Sequence, residues 1–329
     1  MSSRARMAKQ SAAGLQAAVE ETAPSTAPPG AANATPAGAQ PPRPSRLFPV
    51  VLAMALGLAG GYQLGQLVHP GHGSFTTAGV PGGHTHGGTG APVPTDVGGL
   101  AVSAGGYTLV PETTTFTAGA TGTLRFRIVG TDGAPVTSYA TVHEKPLHLI
   151  LARRDLGGYQ HLHPILGADG VWTTALMLPA PGIWRAYADF AAFGANGGQT
   201  AYTLGVDLTV AGGYSPVPLP APARESTVDG LVVTFEGTPR TGGTTPLTFR
   251  VWRDGAPISA LEPYLGSYGH LVVLREGDLG YLHIHADPPT SANQARFWLT
   301  APSVGRYRMF FDFKVGEALH TAEFTLQVT

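Results

Sequence analysis

The sequence predicts an all-β protein, with two tandem immunoglobulin-like β-sandwich domains after one transmembrane helix. Three observations carry this. After residue 70 the apolar residues fall in short runs, rich in β-branched and aromatic types and separated by Gly, Pro and Asp, and no segment sustains a helical period. The second half of that region repeats the first at an offset of 121–123 residues, which marks a domain duplication and not a short solenoid period. Ahead of both copies lies a single uncharged apolar run of membrane-spanning length.

Composition narrows the function classes. Charged residues make up 12% of the 329 residues, while Gly (45) and Pro (29) are abundant, which excludes a charge-laced helical protein or coiled coil. Basic and acidic residues nearly cancel, 20 against 21, so there is no electrostatic footprint for nucleic acid. The absence of Cys excludes disulfides, thiolate metal sites and Cys nucleophiles. No Walker loop, Rossmann fingerprint, G-x-S-x-G or H-E-x-x-H motif is present, and Glu144 and Glu276 are carboxylates without catalytic neighbours in the sequence. The chain reads as a non-enzyme.

Taken in order, residues 1–46 are rich in Ala, Pro, Ser and Thr without apolar periodicity, and are expected to be a disordered cytoplasmic tail. Leu47–Val68 is the expected transmembrane helix, a signal anchor, since 22 helical residues span roughly 33 Å. Arg43 and Arg46 precede it and no Lys or Arg follows until Arg125, which holds the N-terminus in the cytoplasm and exports the rest. A cleaved signal peptide is the rival reading, and it places the bulk on the same side. Ala53, Gly57, Gly61 and Gly65 form a small-residue stripe of the kind that lets two helices pair into a homodimer, although such residues are common in membrane helices generally. Residues 69–99 form a Gly-rich flexible linker that carries His69, His72, His84 and His86.

The first copy spans residues 100–211 and the second 224–329, joined by a Pro-rich linker over 212–223. Strands are expected at Tyr107–Val110, Thr123–Val129, Leu147–Arg153, Tyr159–Pro164, Val171–Leu178, Ile183–Phe190 and Ala201–Val210, and again in the repeat. Seven short strands in about 105–110 residues fit an immunoglobulin-like sandwich.

Histidine carries the chemical signal. His148 aligns with His270, His161 with His283 and His163 with His285, whereas His143 has no counterpart. An H-x-H on a strand puts both rings on one face. A four-residue loop after Arg154 would pair Ala152 with His161 and Ile150 with His163, and Leu274 with His283 and Val272 with His285. His148 and His270 then share those faces, giving each copy three imidazoles able to hold Cu(II) or Zn(II). Asp189 and Asp312, in a shared D-F pair, are candidate additional ligands, and His320 could close a fourth position in the second copy. The same side chains could instead form a hydrogen-bonded structural cluster.

HLHP at His161–Pro164 and HIHAD at His283–Asp287, inside duplicated extracytoplasmic sandwiches, resemble the YtkA-like and copper-resistance CopC-like immunoglobulin-fold domains of bacterial envelope proteins. That resemblance implies a metal-handling context. The expectation is therefore a single-pass bacterial membrane protein with its bulk outside, capturing or sensing copper or zinc. The alternative is a non-enzymatic interaction or scaffold protein of the cell envelope whose His clusters are structural.

Overall fold

The computed structural model describes residues 97–194, 197–259, 261–282, 284–287 and 293–329. The expected tail, transmembrane helix, helix-pairing stripe and linker histidines lie outside the described residues. Among the described residues no helix is long and apolar enough to cross a membrane.

In the first copy the strands are β1 (Ser103–Ala104), β2 (Tyr107–Pro111), β3 (Thr115–Phe116), β4 (Thr121–Val129), β5 (Leu147–Arg153), β6 (Gln160–Leu162), β7 (Ile165–Leu166), β8 (Trp172–Met177), β9 (Gly182–Phe193) and β10 (Gln199–Val210). One sheet has the order β1-β2-β4-β8-β7 and the other β3-β10-β9-β5-β6. All neighbours are antiparallel except β3, which pairs parallel with β10. The second copy repeats the plan with β11 (Glu225–Val228), β12 (Leu231–Glu236), β13 (Thr244–Arg253), β14 (Ala256–Pro257), β15 (His270–Arg275), β16 (Tyr281–Leu282), β17 (His285–Ala286), β18 (Ala295–Thr300), β19 (Gly305–Val315) and β20 (Ala318–Val328). Its sheets run β11-β12-β13-β18-β17 and β16-β15-β19-β20. Two face-packed sheets in this order are an immunoglobulin-like sandwich.

Each sandwich has its own core. Leu124, Phe126, Ile128, Leu147, Leu149, Leu151 and Trp172 are among the buried residues of the first, and Phe249, Phe297, Phe311 and Phe324 among those of the second. Both fix the turn into their long ninth-position strand with one aromatic polar atom. Tyr307 donates its hydroxyl to the Ser303 carbonyl at 2.8 Å, the tyrosine corner of such sandwiches. In the first copy Trp184 takes that place and donates its indole N–H to the Ala180 carbonyl at 3.0 Å.

The β5–β6 register differs from the sequence expectation. Ile150, and not Ala152, lies opposite His161, and the ladder continues with Leu149 opposite Leu162. In the second copy Val273 pairs with Leu282 and Leu274 with Tyr281. The turns close one residue earlier on each hairpin because Arg153 and Arg275 bind the turn carboxylates Asp155 and Asp278, which also accept from the Gly157 and Gly280 amides. A shift of two in pairing keeps the side chains within these paired segments on their expected faces.

A third apolar cluster joins the copies. Ile150, Ala152, Leu156 and Tyr187 of the first pack with Val272, Leu274, Leu279, Tyr281 and Phe310 of the second. The β5 side chains therefore alternate between two dry surroundings. Leu147, Leu149 and Leu151 enter the first sandwich's own core, whereas Ile150 and Ala152 face the other copy. Tyr159 stacks flat on Phe310 with centroids 4.1 Å apart, and Tyr187 donates to the Leu279 carbonyl at 2.7 Å. The last residues of the expected flexible linker are held at this seam. Gly98 exchanges two backbone hydrogen bonds with Tyr281, at 2.8 and 3.0 Å, while the Gly99 amide donates to the Thr203 carbonyl at 2.8 Å.

Candidate metal centre at the seam

His148 lies on the seam face of β5, in register with Asp189, and His270 occupies the same place on β15, in register with Asp312. Their rings stack across the seam with centroids 5.3 Å apart and planes 10° from parallel. His161, opposite Ile150, faces the same space. His148 is 3% exposed and His161 8%.

The outer nitrogens of two of these rings are committed. His148 Nε2–H donates to the Val142 carbonyl at 3.1 Å. His161 Nδ1–H donates to Asp312 Oδ2 of the other copy at 2.9 Å. That carboxylate is 1% exposed and also accepts from the Tyr159 hydroxyl at 2.8 Å and from Thr321 Oγ1 at 2.6 Å. These bonds fix both tautomers, and the remaining atoms, His148 Nδ1 and His161 Nε2, face each other at 3.0 Å. Two imidazole lone pairs at that distance need a positive charge with them, either a proton on one nitrogen or a metal ion held by both. Nitrogens sharing one metal at ~2.0–2.1 Å lie roughly 3 Å apart, so the spacing suits the second case. A His whose far nitrogen is held by a carboxylate is the usual outer arrangement of a metal site.

His270 completes the group. The ligand atoms of His148, His161 and His270 all lie within 4.8 Å of one another. Two buried nitrogens nearby have no hydrogen-bond partner, His270 Nδ1 and His163 Nε2. The His163 ring lies 4.8 Å from His161 and 5.1 Å from His148. A buried imidazole nitrogen without a partner is costly in a dry site, and of these two residues His270 is the one within the three-histidine group. Burial, reinforced by the charge of His161, lowers the pKa of His148 to about 3 and that of His163 to about 2, and pushes His270 well down by the same causes. At neutral pH these three are neutral, the form a metal requires.

The other sequence candidates among the described residues go elsewhere. His283 lies outside the described residues. His285 is exposed on β17, opposite Trp298 and in the sheet away from His270, so the expected set of three within the second copy does not form. His320 turns away as well. Its neighbour Thr321 faces Asp312, and side chains alternate along a strand, so His320 sits against Phe313 at 5.4 Å with its Nδ1 2.9 Å from Asp229. Asp312 orients His161 and is not placed as a ligand among the three histidines. Asp189 sits in the quasi-equivalent place, accepting from Thr203 at 2.7 Å and from Tyr281 at 3.5 Å. The cluster is therefore built between the copies, where the sequence suggested one site within each.

Sequence reasoning missed three contributors. Tyr159 and Tyr281 open a shared Y-x-H-x-H pattern that was legible in the repeat. His143 has no counterpart in the second copy, yet its ring lies 5.6 Å from His270 and 6.1 Å from His148.

Fold and site together define a double immunoglobulin-like module with a buried imidazole cluster at the seam of its two copies. The chain belongs to a family described as a domain of unknown function (DUF8832), whose sequence model matches residues 102–208 and 226–329. The match is to that family and not to the YtkA-like or CopC-like domains that the H-x-H pattern resembles. A comparison with curated proteins gives no match. Similar solved structures include the Escherichia coli adhesin FdeC, at 18% identity over 70% of this chain and 66% of that chain with a TM-score of 0.25. The Yersinia pseudotuberculosis adhesin InvE matches at 14% identity over 67% of this chain and 58% of that chain, TM-score 0.20. Invasin, a bacterial integrin-binding protein, matches at 15% over 70% and 41%, TM-score 0.20. The chain thus spans less than two thirds of each, and at such scores the likeness extends to no function.

Proposed function

We propose that this protein binds one divalent transition-metal ion, Zn(II) or Cu(II), at the seam of its two copies, and does so outside the cytoplasm from a membrane anchor. One observation carries the metal reading: the nitrogens of His148 and His161 face each other at 3.0 Å with their outer nitrogens already committed, beside His270 of the other copy. His148 and His161 would bind through the facing atoms, and His270 would supply the third nitrogen. An all-imidazole set without thiolate suits borderline divalent ions better than Cu(I). The anchor and its orientation rest on the Arg-flanked run Leu47–Val68.

The second reading, an envelope interaction or scaffold module with structural histidines, is favoured by the same 3.0 Å contact taken as an N–H···N hydrogen bond. Thermal melts of the full chain, purified without a His-tag, separate the two. Metal at ~100-fold over its Kd should stabilise the folded state by about 2.7 kcal/mol at pH 7.5, and His161→Ala should abolish that gain. No shift with Zn(II) or Cu(II) in the wild type would end the metal reading and leave the structural one.

A further inference from the structure

His143 sits on an unusual turn. The Val142 and Lys145 backbones exchange hydrogen bonds at 2.9 and 3.1 Å around the two residues His143 and Glu144, both at positive φ, 49° and 64°. Such a two-residue turn normally places Gly, Asn or Asp at these positions, because other side chains strain there. The quasi-equivalent turn of the second copy, closed by Tyr264 and Ser267, holds Leu265 and Gly266, so only one of its two positions strains. The first copy thus keeps two strained residues where one Gly would relieve half the cost, and strain retained at a defined place points to a job for the side chain.

The place is the rim of the histidine cluster. The Val142 carbonyl of this turn fixes the tautomer of His148. The His143 ring stands 5.6 Å from His270 and 6.1 Å from His148, at steep angles of 80° and 70° to each. Imidazoles sharing one metal at ~2.0–2.1 Å have centroids roughly 4.5–6.5 Å apart, from adjacent to opposed positions. The rings of His148, His161 and His270 meet this too, at 5.2, 5.3 and 4.7 Å. Three nitrogens leave a tetrahedral ion one ligand short.

We propose that His143 is the fourth ligand, delivered from the strained turn. This rests on the metal reading above. It also explains why one His of the repeat has no counterpart: a single ion on a pseudo-twofold seam needs only one closing residue.

The test uses Co(II), whose visible bands report coordination number and donor set. The full chain is prepared metal-free, without a tag, and with His69, His72, His84 and His86 replaced by Ala. The key variant is His143→Asn, because Asn tolerates positive φ and keeps the turn while removing the ligand. It should bind Co(II) at least tenfold more weakly, with altered bands that added imidazole restores, and its metal-free melting temperature should equal or exceed the parent's. His163→Ala should retain the parent's bands. Unchanged affinity and bands in H143N, while H161A abolishes binding, would overturn the proposal and leave the metal reading intact. Band changes in H163A in place of H143N would assign the fourth position to His163. A loss in H143N that tracks a lower melting temperature and ignores imidazole would make the role structural. If the parent itself binds no Co(II), the metal reading fails first.

Discussion

Asp312→Asn is the sharpest perturbation of the site that leaves its three histidines in place. The carboxylate accepts three hydrogen bonds, from His161 at 2.9 Å, Tyr159 at 2.8 Å and Thr321 at 2.6 Å. The amide is isosteric. Its oxygen can still accept from His161 and Tyr159, and its N–H₂ can turn to the Thr321 hydroxyl. What is lost is the negative charge that orients His161 and raises its strength as a donor to metal. Outer-sphere changes of this kind cost about 10–100-fold in metal affinity, or roughly 1.4–2.7 kcal/mol. The assay is competition for Zn(II) against a chromophoric chelator at pH 7.5. His320→Ala serves as control, since that ring is bound to Asp229 and should leave the affinity unchanged. If D312N lowers metal-free stability too far, Tyr159→Phe removes one donor to the carboxylate while keeping the ring on Phe310, and should weaken binding in the same direction by less. Equal affinities for D312N and wild type, or an equal loss in H320A, would refute the assignment of Asp312 as the residue that positions His161.

Other outcomes follow from the same geometry. His148, His163 and His270 are neutral when folded but titrate near 6.5 when unfolded, so the unfolded chain gains protons first as pH falls; stability present above pH 6.5 is lost below it, by about 1.4 kcal/mol per group between pH 7.5 and 5.5, readable as a lower metal-free melting temperature. Phe310→Ala removes a fully buried ring from the seam and should cost about 3–5 kcal/mol in chemical denaturation, with faster protease cutting within residues 212–223 if the copies part. A reporter fused after Thr329 should be active only on the outer side of the membrane, and activity in the cytoplasm would overturn the topology read from Arg43, Arg46 and the run that follows them.

The sandwiches were legible because their strands alternate cleanly: in β4 Leu124, Phe126 and Ile128 are buried while Thr123 and Arg125 are exposed. The seam was written in a different pattern that invites misreading. LHLILAR in β5 is buried at six of its seven positions, a run without alternation, which signals a strand covered on both faces. Taken as a hairpin with one working face, it placed three imidazoles within each copy. Taken as doubly covered, it requires a partner surface, and the equivalent HLVVLR of β15 supplies one. What no local pattern could give was the pairing across the seam. Asp312 stands 151 residues from His161, and only the packing of one copy on the other brings them together. His320 misled for a plain reason: it is one position from Thr321, and one position on a strand is the opposite face.

The clasp at Gly98 has a mechanical meaning. Arg185 grips the Gly99 and Leu100 carbonyls at 2.6–3.0 Å from the first copy, while Gly98 is bonded to Tyr281 of the second. A pull arriving along the chain from before residue 97 is therefore borne first by contacts that straddle both copies, ahead of either sandwich's core strands. Tyr281 is the residue that takes this load, and its ring lies beside Tyr187 in the shared apolar cluster while its hydroxyl reaches Asp189. A force that loosens this clasp therefore acts next on the apolar cluster that the two copies share.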